Sequence, residues 1–123
     1  MPVIPAPETC THELPHARFY SLATPSRGSR ETSVWRARLD PASSSAPHRL
    51  TREEIFVVLS GTLRVAFAGQ VGEARAGDAI VVPKDTEVTL SCLDEGAEVL
   101  CCLPVGGQAQ IEGGPLFTPP WAE

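Results

Sequence analysis

The chain has 123 residues, ten basic and fifteen acidic side chains, a net charge of −5 and a hydrophobic share of 42%. That is the size of one domain, and it is too apolar for a disordered chain. No run approaches the roughly 20 apolar residues of a membrane-spanning helix, and no block of Lys and Arg would track phosphates, which argues against nucleic acid as a partner.

Residues 1–16 contain four prolines and no clear period, which predicts an extended arm. The opening "MPVIPAPETC" has no basic region followed by an apolar run, so a cytoplasmic location off the membrane is expected. The cysteines Cys10, Cys92, Cys101 and Cys102 show no CxxC spacing and are expected as reduced thiols.

A first short strand is predicted over 17–23 and a loop over 24–30. Residues 31–39 read as a strand in which Val34, Arg36 and Arg38 alternate with Trp35, Ala37 and Leu39. Either set can face inward. If the first does, two arginines enter the interior and would accept an anionic group; if the second does, they are solvated.

A turn-rich loop follows over 40–48. Residues 53–61, "EEIFVVLSG", hold a continuous β-branched run suited to a strand covered on both faces. A separate strand is predicted over 62–69. Further strands follow within 72–83, stopped by Pro83, within 84–92 and over 97–105. Residues 106–123 form a tail with Ile111, Leu116, Phe117 and Trp121, expected to pack on the barrel or on a neighbour. Strands at this spacing, with no amphipathic helix of ten residues, predict an all-β sandwich or barrel. One domain is expected over 1–123: arm and first strand to residue 30, barrel core over 31–105, then the tail.

Two segments resemble the signature motifs of the cupin superfamily, a small jelly-roll β-barrel of two packed antiparallel sheets. His48, Leu50, Glu54 and Gly61 fall where the first motif has His, His, Glu and Gly, and Ala42 stands at its opening Gly. Gly77 and Pro83 match the second motif, in which Asp85 replaces a Gly, Val88 a His and Cys92 an Asn. The short segment between the motifs, 62–76, is similar to that of compact bacterial cupins.

The resemblance implies a pocket lined by Arg36, His48, Leu50, Glu54, Phe56, Val88 and Cys92. Of the family's four metal-binding residues, His48 and Glu54 are present, while Leu50 and Val88 cannot ligate. A divalent metal (Fe, Mn, Zn or Ni) would be weakly held or absent, unless His12 or His16 crosses the barrel mouth or a cysteine adds sulfur. An inward Glu54 beside Phe56 would have a raised pKa unless His48, Arg36 or Arg38 pairs with it. Then Glu54 could serve as a general base while His48 polarises an adjacent oxygen.

Three functions stay open at this point. One is a small-molecule-binding cupin with a polar His/Glu anchor. Another is an enzyme such as a dioxygenase, isomerase or cyclase. The last is a structural protein with a filled barrel. The resemblance also implies a homodimer, in agreement with an apolar outward face at Ile55 and Val57.

Overall fold

Alternating side chains build a β protein in the computed structural model, which describes residues 3–123. The strands are β1 (His12–Leu14), β2 (Ala17–Ala23), β3 (Thr32–Leu39), β4 (His48–Leu50), β5 (Glu54–Phe67), β6 (Gln70–Arg75), β7 (Ala79–Val82), β8 (Val88–Ser91), β9 (Ala97–Pro104), β10 (Ala109–Ile111) and β11 (Leu116–Phe117). Two short 3-10 turns, Pro25–Arg27 and Pro120–Ala122, complete the set among the described residues. No helix among them is long and apolar enough to cross a membrane.

All pairings are antiparallel. The first sheet runs β1-β2-β3-β9-β5-β7. The second runs β6-β5-β8-β4-β10-β11. β5 belongs to both, so the sheets curl around one interior as a jelly-roll barrel.

The switch from one sheet to the other occurs inside β5. Residues 54–61 pair with β7 and β9, and residues 62–67 with β6 and β8. Ahead of the switch the register shifts at Val58/Ser60, and Gly61 adopts a φ of +76°. Two strands were expected here, over 53–61 and 62–69. The bend at Gly61 re-aims the chain without reversing it, so one strand serves both sheets. A Cβ at Gly61 would run into the Gly96 carbonyl oxygen, so glycine is required there on steric as well as conformational grounds.

The inner face of the first sheet follows period two. Trp35 and Ala37 on β3, Glu54, Phe56 and Val58 on β5, and Val99, Cys101 and Leu103 on β9 are buried. The core therefore lies between the sheets, and an inward Glu54 is built into it by the register of its own strand.

Within the expected arm, residues 12–14 form β1, which pairs with β2 through His12↔Phe19. The tail closes over the same end. β10 adds to β4, and the Trp121 ring stacks on Phe19 at 3.8 Å between centroids and 3° between planes. Buried serine hydroxyls hold its backbone: Ser21 Oγ donates to the Trp121 carbonyl at 2.8 Å and Ser33 Oγ to the Ala122 carbonyl at 2.7 Å.

Candidate functional site

A cavity of about 330 Å³ lies between the sheets. Phe19, Trp35, Phe56, Val99 and Cys101 form its wall on the first sheet, and His48, Leu50, Leu90 and Ala109 its wall on the second. The β1–β2 turn with His16, the Ser43–Ala46 loop, and Phe117, Pro119 and Trp121 of the tail complete the enclosure. The wall is almost wholly apolar, and the carboxyl of Glu54 is set into it.

Glu54 is only 4% exposed, and its Oε1 is buried without a hydrogen-bond partner. Burial pushes its carboxyl up to about 8, with no pairing group to oppose the loss of water. Its strand neighbour Phe56 and the cross-strand Cys101 are both buried. Burial first, then the adjacent Glu54 and Cys102, hold the Cys101 thiol well above its ordinary value. Cys101 is thus a neutral thiol in the wall, a poor nucleophile at neutral pH.

His48 sits on β4 two residues before Leu50, on the same face. Its Nδ1 lies 2.9 Å from the Ala46 carbonyl. A carbonyl only accepts, so Nδ1 carries a proton, and Nε2 is the ring nitrogen left free of this bond. His48 and Glu54 thus line one cavity from opposite sheets.

Of the residues expected in the pocket, His48, Leu50, Glu54 and Phe56 line the cavity. Arg36, Val88 and Cys92 do not, and each has a physical reason. On β3 the aromatic set wins the interior: Trp35 and Ala37 are buried, so Arg36 and Arg38 face outward. There Arg36 lies over the Tyr20 ring at 4.0 Å, and both arginines reach Glu98, at 3.4 and 3.6 Å. Val88, the cross-strand partner of His48, is fully buried in the core and does not itself line the cavity. Cys92 is buried outside the cavity wall, its N–H donating to the Ser43 carbonyl at 2.9 Å.

The two remaining histidines separate. His16 lines the cavity mouth, whereas His12 lies outside the wall with Nδ1 2.9 Å from Thr11 Oγ1. Sequence reasoning missed the Ser43–Ala46 loop as a wall. It reads as a turn, yet Ser45 N–H donates to the Leu90 carbonyl at 2.8 Å and Leu90 N–H returns to Ser45 Oγ at 3.0 Å. The run of three serines offered these short-range partners, but only the fold shows which strand they meet.

A family model described as Cupin domain matches residues 35–103. The chain belongs to the cupin family. Solved structures similar to this cupin include KdgF from Halomonas sp. (TM-score 0.70, 19% identity, 79% of this chain and 86% of that one). The polyketide cyclase RemF from Streptomyces resistomycificus matches with TM-score 0.71 and 18% identity over 85% of this chain and 71% of its own. The DMSP lyase DddQ from Ruegeria pomeroyi DSS-3 matches with TM-score 0.72 and 15% identity over 78% of this chain and about half, 51%, of its own. At these identities the likeness is one of fold. No curated protein sequence matches the chain.

Cupin relatives prompt a test for a metal. Such a centre takes about three protein ligands and an open position. Among the described residues no group of three or more His, Cys, Asp or Glu side chains is placed to hold an ion. Leu50 and Val88, at the family's other two ligand positions, are buried hydrocarbon. The residues present do not fit a metal centre in this cupin.

Proposed function

We propose that this cupin binds a small, mostly apolar molecule between its sheets, with Glu54 as the polar anchor and His48 at the second wall. The observation that carries the reading is the pairing of an apolar cavity, open at one mouth, with one unpartnered buried carboxyl oxygen. Pockets of this kind, apolar with few placed polar groups, are the usual form of small-molecule sites. A buried polar atom without a partner costs stability, which a ligand that supplies the partner recovers. A side-chain-filled barrel does not accord with a cavity of about 330 Å³.

A second reading is an enzyme, and the Glu54 carboxyl at about 8 favours it. Near pH 7 such a group is mostly protonated, with roughly a tenth ionised, so it can give a proton and take one back. With His48 Nε2 on the facing wall, the chemistry on offer is proton transfer, as in an isomerisation or a cyclisation. The outward apolar row of the first sheet would, on the same reading, pack against a second copy of the chain.

Xenon uptake tests the cavity without assuming a ligand. Apolar cavities take up xenon while remaining dry. Pressurised crystals should show xenon between Trp35, Phe56 and Leu50, and an empty or closed interior would overturn the binding reading. Glu54→Gln then separates the two functions: an enzyme loses turnover and a binding module keeps its ligand.

A further inference from the structure

The wall of the cavity holds information about its occupant beyond size. An engineered apolar cavity of about 150 Å³ takes benzene. This one, at about 330 Å³, is roughly twice that and suits up to two fused rings. Five of its wall residues are aromatic, namely Phe19, Trp35, Phe56, Phe117 and Trp121, with Phe19 and Trp121 stacked on each other.

The charge census is more selective. No Lys or Arg lines the cavity. Arg36 is turned to the outer face and held by Glu98 and Tyr20. An anionic ligand would therefore lose its water with no permanent counter-charge to replace it. A cationic ligand would need Glu54 ionised, in a wall that offers the carboxylate no hydrogen bond at Oε1. Both charges would then be desolvated, and such pairs gain little unless their remaining hydrogen bonds are satisfied.

The titratable groups that line the cavity with Glu54 are His48 from β4, His16 from the β1–β2 turn and Cys101 from β9. Cys102 follows on the opposite face of β9. Neither cysteine offers a positive charge, and His16 lies at the mouth.

We infer that the occupant is an uncharged, largely apolar ring molecule of up to two fused rings whose carbonyl oxygen accepts a hydrogen bond from the protonated Glu54 carboxyl. The inference rests on the binding reading above and names the ligand class. It fixes a sign for the pH dependence. The donor is present below about pH 8 and lost as Glu54 ionises above it.

The test is calorimetric titration of the intact chain with three two-ring probes of similar size. They are 1-tetralone (a ketone), 1-naphthoate (an anion) and 1-naphthylmethylammonium (a cation). At about pH 6.5 the ketone should bind at least about tenfold tighter than either charged probe. Its affinity should fall by up to about tenfold per pH unit once Glu54 ionises. In Glu54→Gln, which keeps an N–H donor, the ketone should bind without that pH dependence. Equal or tighter binding of 1-naphthoate overturns the class. So does a cation that tightens as Glu54 ionises, or a ketone whose affinity ignores pH in the unmodified chain. If no probe binds while xenon still enters, the ligand class fails and the cavity reading stands; if xenon is excluded as well, both fail.

Discussion

Glu54 is the residue where stability and function pull apart. Unfolded, its carboxyl titrates near 4.5; folded, it titrates at about 8. Between those values the native state holds a proton that the unfolded state has released, so stability falls as pH rises through this window. Below pH 4.5 nothing is lost at this residue. Above about 8 the full cost is present, on the order of 5 kcal/mol at 1.36 kcal/mol per unit. Replacing Glu54 with Gln removes the titration while keeping the shape. Urea unfolding should therefore show Glu54→Gln and the unmodified chain close in stability near pH 4.5. The variant should be more stable by a few kcal/mol at pH 8. Equal stability at both pH values would mean that the carboxylate finds a partner the structure does not show. A residue kept at such a cost is what a binding or catalytic role explains.

The turns of individual elements show which parts of the cupin pattern are physical requirements. Ala42 and Asp85 stand where the family pattern has glycine, and both adopt left-handed backbone, with φ of 53° and 57°. Both positions therefore hold a backbone that glycine adopts without strain. Alanine in that region is strained by roughly 1 kcal/mol, whereas aspartate tolerates it better. Ala42→Gly should raise the unfolding free energy by about 0.5–1 kcal/mol, and Asp85→Gly by less. Gly61→Ala should do the opposite and cost at least about 3 kcal/mol, since strain and collision with the Gly96 carbonyl add together. Thermal melts of the three variants check the order, and a tolerated Gly61→Ala would contradict the bend described in β5. These elements also show what could be read in advance. Period-two runs and Gly, Pro and Asp turns are local signals, so the strands and the inward Glu54 were legible in the residues. The face of β3 was not, because Val34, Arg36 and Arg38 alternate as regularly as Trp35, Ala37 and Leu39. Burying the Trp35 ring while leaving the guanidinium groups in water decided it. The serine loop and the tail aromatics reach the cavity only through long-range pairing, which no local pattern encodes.

At the scale of the molecule, the outer face of the first sheet is divided. Toward one end runs a charged row, Glu13–Arg18–Arg38–Glu98, tied by ion pairs at 3.6 Å and capped by Arg36 on Tyr20. Toward the other end, Val34, Cys102, Ile55 and Val81 form one row across four strands, with Leu100, Val57 and Ala79 beside them. Val81 is 51% exposed and Leu59 45% exposed at the margin of this patch. On the proposed reading, this apolar row is where a second copy of the chain would pack. A standard interface takes roughly 800 Å² from each partner, about a ninth of the 7109 Å² surface. On that reading the contact would take in Val57 and Leu59 beside the row. The chain is expected to sediment as a dimer at micromolar concentration. Ile55→Lys places a charge in the middle of the row without entering the core, because Ile55 points away from the interior. That variant should sediment as a monomer with an unchanged far-ultraviolet spectrum and an intact cavity. A monomeric parent chain would remove this role for the patch. A dimeric Ile55→Lys would move the interface elsewhere, and the exposed margin at Leu59 and Val81 would then need a different cover.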